Sequence, residues 1–427
     1  MKALIVLLNL AFLGFFFYKL WRQEKSVLRI FFVPALTFKL LSGILLGLLY
    51  TYYYSIGDTF LYFQDGVRLA SLARKDITSY LSFLWSGDDS FPIWSTLAYQ
   101  QPRAMFLSKV TSLFCLLTSD NYWVTSLYFS GIAFAGAWIF LKKIDDSFVQ
   151  ARSAAILGFL FFPSAVFWSA GIIKESLAMA SLFFLSFIFL KTWWRQKING
   201  FEWLGTVLAV WLVWNLKYYY LAIFLPVVFT ALALKYVLSK LTVKSLAIKI
   251  LLWCLLLNVP LLIISILHPN FYVERFTEVV VASYYEFEEI SNPEDMIHYN
   301  DLEPTPVSIV THSPWALLSG LFRPFVTEAR ASLQWLIALE NLLLLTLSLA
   351  AITQTKKLIT SRYRLLLFSI LMYSALLCVF LALSTPNFGT LSRYRVGFLP
   401  YFVFVISIGN PLINKLMMLK IFRNLVR

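Results

Sequence analysis

Asp58 follows a glycine at the end of an apolar run, in Ser55-Ile56-Gly57-Asp58-Thr59-Phe60-Leu61-Tyr62, and Asp65 comes one helical heptad later. A carboxylate at the mouth of an apolar cavity can have its pKa raised and act as a general base towards a hydroxyl. The plainer reading of the same pair is a helix start with Asp58 as its N-cap. A second set is Pro163-Ser164-Ala165-Val166-Phe167-Trp168-Ser169-Ala170-Gly171, which runs into Lys174 and Glu175. Lys174 is placed to meet a phosphate, with Glu175 orienting it or pairing with it. An interfacial tryptophan with a snorkelling lysine explains those residues without a ligand. The third set is Leu321-Phe322-Arg323-Pro324-Phe325 with Glu328 and Arg330. The fourth is Asn387-Phe388-Gly389-Thr390-Leu391-Ser392-Arg393-Tyr394-Arg395. Arginine suits bidentate recognition of phosphate, although each of these can also pair with acidic loop residues or with lipid phosphate.

Other chemistry is thinly represented. His268, His298 and His312 share no metal-ligand spacing on one helix, so no metal site is assigned. Cys115, Cys254 and Cys378 are far apart in apolar sequence and read as small core residues. No Walker loop, serine elbow or dinucleotide fingerprint occurs.

The elements that must position these residues are membrane helices. Of the 427 residues, 60% are hydrophobic and 14% charged, which is far from a soluble domain. Leu- and Phe-rich runs of about twenty residues recur, each long enough to cross a hydrocarbon core as a helix. No alternating barrel pattern appears, so the fold class is all-α: a polytopic helical chain with about eleven spans, their backbone groups bonded internally. The spans are placed near 3 to 20, 30 to 54, 122 to 141, 153 to 170, 175 to 192, 202 to 216, 218 to 236, 246 to 267, 332 to 354, 365 to 384 and 397 to 414.

The net charge of +14 is distributed as an orientation signal. Lys19, Arg22, Lys25 and Arg29 follow the first run, which reads as a retained helix and not as a cleaved signal. With that cluster in the cytoplasm, Lys142, Lys143 and Arg152 fall inside, as do Lys191, Arg195 and Lys197, then Lys235, Lys240 and Lys244. Lys356, Lys357, Arg362, Arg364 and the tail with Lys415, Lys420, Arg423 and Arg427 follow suit. This is the positive-inside pattern, with the N-terminus outside and the C-terminus in the cytoplasm. It also removes nucleic acid as a partner, because no basic face stands apart from a membrane loop. Two long outside loops remain, 55–121 and the acidic 268–331, within one transmembrane unit of 1–427. Met105 to Leu117 reads as a helix lying in the interface. Gly171 to Lys174, and Lys217 with Tyr218, Tyr219 and Tyr220, read as tight outward turns. All four chemical sets then face outside, with Arg323, Arg393 and Arg395 against the charge trend.

In that architecture, and in the stretches Gly57-Asp58...Tyr62, Pro163-Ser164...Trp168...Lys174-Glu175 and Arg393-Tyr394-Arg395...Pro400, the chain resembles bacterial members of the C-type glycosyltransferase superfamily. These are polytopic enzymes that include protein O-mannosyltransferases and aminoarabinose transferases. The resemblance implies an inverting transferase in the cytoplasmic membrane, with a polyprenyl-phosphate sugar donor and a glycan, lipid or protein acceptor. Asp58 would be the catalytic carboxylate, with Tyr62, Asp65, Lys174, Glu175, Arg323, Arg393 and Arg395 around the substrate. Metal dependence is open, a divalent cation being the one cofactor the resemblance admits. Two other readings compete: a polymerase or ligase using lipid-diphosphate-linked glycans, in which Asp58 is dispensable, and a lipid-linked glycan transporter. The transporter predicts ionisable groups deep in the membrane, where Lys39 and Glu340 are found, and internal repeats, of which none is seen.

Overall fold

The computed structural model describes residues 2–54, 57–87, 89–241, 243, 245–267 and 272–418. His268, Lys244, Ser55, Ile56 and the tail cations Lys420, Arg423 and Arg427 lie outside the described residues. The chain begins with α1 (Lys2–Gln23), α2 (Arg29–Tyr52), α3 (Asp58–Lys75), α4 (Ile77–Trp85), α5 (Pro102–Thr118) and α6 (Tyr122–Ser147). A broken stretch follows: α7 (Arg152–Ile156), a π-helical turn at Leu157–Phe161, and α8 (Pro163–Phe167). Then come α9 (Lys174–Trp193), α10 (Gly200–Lys240), α11 (Leu246–Leu267), α12 (Val273–Ile290) and α13 (Pro306–Phe322). The last are α14 (Ser332–Ile352), α15 (Thr355–Thr360), α16 (Arg364–Ser384), α17 (Phe388–Tyr394), α18 (Leu399–Ser407) and α19 (Pro411–Met418). Among the described residues there is no strand, only an isolated bridge between Met296 and Asn387.

Eight described helices are long and apolar enough to cross a membrane: α1, α2, α6, α9, α10, α11, α14 and α16. This is a helical membrane protein. Burial sorts the helices, because 78% of the most apolar stretch of α6 and 72% of that of α9 is buried, against 11% for α1 and for α11. An apolar helix exposed on most sides is stable only in lipid, so α1 and α11 form the periphery and α6 and α9 the centre. The central pair is in close backbone contact at Gly136, where a Cβ would come within 2.6 Å of the Ala180 carbonyl. Small residues commonly allow this approach between membrane helices, where lipid supplies no hydrophobic drive for association.

The connections gather at two ends. At one, Glu24 pairs with Lys142, and Phe148 packs on Trp194 and Tyr363. The clusters at Lys142 and Lys143, at Lys191 and Arg195, and at Lys356 to Arg364 therefore share one basic end. At the other end, Tyr50, Asp58, Glu175, Lys217 and Arg393 meet.

Four expected spans take a different form. Residues 202–216 and 218–236 are one helical run bent at Lys217, whose φ of −146° and ψ of 63° are not helical. The bend reverses the chain: Glu202 bonds Lys191 and Lys235 bonds the Trp193 carbonyl, both at the far end of α9, whereas Lys217 pairs with Glu175 at its near end. The other two, 153–170 and 397–414, are broken into the α7, π and α8 pieces and into α18 and α19. They lie against each other in the interior, where a Cβ on Gly158 would come within 2.7 Å of the Pro400 carbonyl and Phe159 stacks edge-on to Tyr401. Irregular backbone at membrane depth is tolerated where protein covers it and side chains satisfy its free groups. Here Glu340 accepts from the Ser164 amide at 2.7 Å and from the Ser164 hydroxyl, at the start of α8. Lys39 donates to the Val166 carbonyl at 3.0 Å and to Ser169 Oγ at 2.5 Å, at its end. An acid at the N-terminus and a cation at the C-terminus also suit the local helix dipole.

The first long connection is a packed layer. α5, expected as an interfacial helix over 105–117, buries Leu107, Ser108, Thr111 and Cys115, with Gly66 of α3 close against Thr111 and Phe114 against Phe129 of α6. The second connection folds as α12 and α13. All three cysteines are free; Cys115 and Cys378 are buried as expected, whereas Cys254 is exposed on peripheral α11.

Candidate functional site

The site begins with a glycine that cannot be replaced by any larger residue without displacing an aromatic ring. Gly57 is the N-cap of α3 in extended conformation, and a Cβ there would fall inside the Tyr50 ring. Asp58 is thus the first helical residue and makes no capping bond, which removes the N-cap reading. Its carboxylate is used elsewhere. Oδ2 receives the Arg393 guanidinium at 2.7 Å and Oδ1 the Tyr99 hydroxyl at 2.5 Å, while the side chain stays 38% exposed.

Arg393, on α17, is the centre of the arrangement. Its Nη1 also reaches the Tyr50 hydroxyl at 3.3 Å, and its Nη2 donates to Glu175 Oε2 at 3.1 Å. Glu175 is fully buried and its other oxygen lies 2.8 Å from Lys217 Nζ. Lys217 sits 3.4 Å from the centre of the Tyr394 ring, a desolvated cation–π contact. The bend in α10 brings Lys217 here. One continuous network thereby ties α2, α3, α9, α10 and α17, elements up to 343 positions apart in sequence.

Lys174, the first residue of α9, completes the group. Its ammonium lies 5.6 Å from the centre of the Tyr62 ring, and among the described residues it has no hydrogen bond and no ion pair. Tyr62 in turn stacks on Tyr99 with centroids 4.6 Å apart. Three cations, Lys174, Lys217 and Arg393, therefore face two carboxylates, Asp58 and Glu175, which leaves one positive charge in excess.

Burial alone would raise the Asp58 carboxyl, but the Arg393 guanidinium, the Tyr99 hydroxyl and the nearby Lys174 bring it below its ordinary value. Asp58 is consequently a carboxylate across the neutral range. Burial and the bond to that carboxylate push the Tyr99 hydroxyl up, so Tyr99 stays a donor.

Of the residues singled out from sequence, Asp58, Tyr62, Lys174, Glu175 and Arg393 come together. Asp65 lies one layer behind: fully buried, it accepts from the Ala98 amide at 2.8 Å, the Tyr99 amide at 3.1 Å and Arg68 at 3.1 Å. It holds the segment that delivers Tyr99. Arg323 and Arg395 do not join the network. Arg323 is locked to Glu328 by bonds of 2.5 to 3.1 Å and lies over Phe388. Arg395 is buried in the opposite direction, donating to Asn341 at 2.9 Å and to the Leu321 carbonyl at 3.3 Å. Its phosphate role is not supported by these contacts. Tyr50 and Tyr99 carried no sequence signal of their own, the first at a span end and the second inside the 55–121 loop, and Tyr394 was marked only as the neighbour of Arg393 and Arg395. Lys217 carried one, as a cation beside three tyrosines at a predicted turn.

Compared with protein-family models, with curated proteins and with solved structures, the chain matches none. Among the described residues no group of His, Cys, Asp and Glu is disposed to hold a metal ion.

Proposed function

We propose that the chain is a membrane glycosyltransferase of the C-type kind, moving a sugar from a polyprenyl-phosphate donor to an acceptor hydroxyl at the outer face of the cytoplasmic membrane. The observation that carries this reading is the unpaired Lys174 beside a partly exposed carboxylate, in a site with one cation more than it has acids. A surplus half-buried cation is stabilised by an anionic ligand, and phosphate is the anion that a lipid-borne donor supplies. The orientation follows from charge. The basic clusters gather at the end opposite Asp58, and the positive-inside rule puts that end in the cytoplasm, with about eleven crossings if each broken or bent segment crosses once.

In the reaction the Asp58 carboxylate takes the proton of the acceptor hydroxyl as that oxygen attacks the anomeric carbon. The bond from that carbon to the phosphate oxygen breaks, and its electron pair leaves with the polyprenyl phosphate. Attack opposite the leaving group inverts the centre. Lys174 and Arg393 stabilise the charge developing on the departing phosphate, as fixed cations in a water-poor site do best. Phosphate drawing on Arg393 also loosens its hold on Asp58 and returns basicity to it when the acceptor arrives.

The polymerase or ligase reading and this one part at Asp58. In membranes supplied with lipid-linked sugar, Asp58→Asn is expected to lower glycan transfer about a hundredfold or more. Lys174→Ala is expected to weaken donor binding by about 1.5 to 3 kcal/mol. Transfer at near wild-type rate in Asp58→Asn, with expression matched, would eliminate the general base and favour the polymerase. The transporter reading loses its motivation, since Lys39 and Glu340 are occupied in closing the ends of α8.

A further inference from the structure

We infer that the cavity at the basic end of the bundle binds an anionic membrane phospholipid, its phosphate between Lys357 and Arg362 and one hydrocarbon chain in the interior. This site is separate from the one around Asp58 and does not depend on the reading given to it.

The cavity measures about 660 Å³, within the range of roughly 300 to 1,000 Å³ usual for ligand sites. Its walls come from α6, α9, the second arm of α10, α16 and α18, with Phe140, Phe189, Phe224, Leu366 and Phe404 among them. The polar groups at its floor are already satisfied. Ser186 and Tyr401 share a hydrogen bond of 2.7 Å, and the Tyr373 hydroxyl donates to the Gly397 carbonyl at 2.9 Å. The interior therefore asks for hydrocarbon, since a polar occupant would lose its water without finding partners.

The rim asks for the opposite. Lys357 and Arg362 line it, both exposed and neither ion-paired among the described residues, and none of the described carboxylates lines the cavity. Gln150 and Gln354 add neutral donors at the same edge. Basic pockets between membrane helices are recognised sites for phosphate headgroups, which attract each nearby Lys or Arg by about 1 kcal/mol. A soluble anion would leave the apolar interior empty, and an uncharged hydrocarbon would leave the cations unused. An anionic phospholipid meets both demands with one molecule.

The test is native mass spectrometry of the full chain in detergent, with phosphatidylglycerol or phosphatidylcholine of the same acyl chains added. Phosphatidylglycerol is expected to bind more tightly, with one copy retained at low occupancy. Lys357→Ala and Arg362→Ala should each weaken it about fivefold, and together about thirtyfold, on the contribution per cation given above. Lys356→Ala, a neighbouring cation that does not line the cavity, should change nothing. Val228→Trp fills the interior and should remove the retained copy while the chain keeps its unfolding temperature. Equal retention of the two lipids, or phosphatidylglycerol binding that survives both alanine variants and Val228→Trp, overturns the assignment in favour of nonspecific annular lipid.

Discussion

A carboxylate that is both ion-paired and partly open is the unusual feature at the residue scale, and its pH behaviour can be worked out. The Asp58 carboxyl is depressed in the folded chain, because the pull of Arg393, Tyr99 and Lys174 outweighs burial. A depressed acid contributes stability that is fully present above the ordinary value of 3.8 and is lost as pH falls through the lower folded value. Unfolding temperature in detergent should therefore be flat from this group between about pH 5 and 8 and drop below about 4, and the drop should shrink in Asp58→Asn. Asp65 behaves differently despite its similar place in the sequence. It is wholly buried with three donors, so Asp65→Asn should lower stability by about 1 to 3 kcal/mol through unmet backbone amides. An Asp65→Asn variant as stable as wild type, measured by thermal unfolding, would contradict its role in placing Tyr99. The variant is thus a poor neutral control for Asp58→Asn.

At the scale of elements, the bent helix and the broken one matter most. Each interrupts a hydrogen-bonded ladder inside the bundle, and each is compensated by charge. Arg393 bridges carboxylates on α3 and α9, and Lys217 at the bend of α10 answers Glu175 from the other side. Removing one partner of such a buried set leaves an uncompensated charge, so Arg393→Ala should destabilise the fold by about 3 to 5 kcal/mol. Unfolding at an unchanged temperature would show that the network is not holding these helices. The α8 clamp makes a milder prediction. Lys39→Met leaves the Val166 carbonyl without its donor, which costs about 1 to 3 kcal/mol, and Glu340→Gln, retaining one acceptor oxygen, should cost less. Thermal unfolding of the two variants separates them, and the reverse order would mean that the start of α8 is the weaker point.

For the molecule as a whole, the two ends are chemically distinct, and the proposed orientation rests on that distinction. Glu289 is exposed at the end of α12, which is joined to the site end through the Ile297 to Pro386 hydrogen bond and the Asn387 to Ser291 bond. Lys356 is exposed at the basic end, beside the cavity. In a background with Cys115, Cys254 and Cys378 replaced, a membrane-impermeant thiol reagent added to intact cells should label Glu289→Cys and spare Lys356→Cys. The reverse pattern would turn the molecule over and place the Asp58 site in the cytoplasm.

By itself the sequence determined the membrane class, the all-helical fold and the clustering of charge, because each depends on local composition: an apolar run must satisfy its backbone as a helix in lipid. It also marked Asp58, Lys174, Glu175 and Arg393, since charged residues at span ends are few in a chain that is 14% charged. Which of them meet was decided by tertiary structure. Arg393 and Arg395 are two residues apart and read alike in sequence, yet one turns to Asp58 and the other to Asn341. That division depends on α17 being a short helix wedged between α2, α9 and α16, a contact across more than three hundred residues of chain. The bend at Lys217 and the breaks around α8 were equally hidden, because length and hydrophobicity describe a crossing but not its interruption. What permits the interruptions is a partner supplied from elsewhere: Glu175 for Lys217, and Glu340 and Lys39 for the two ends of α8.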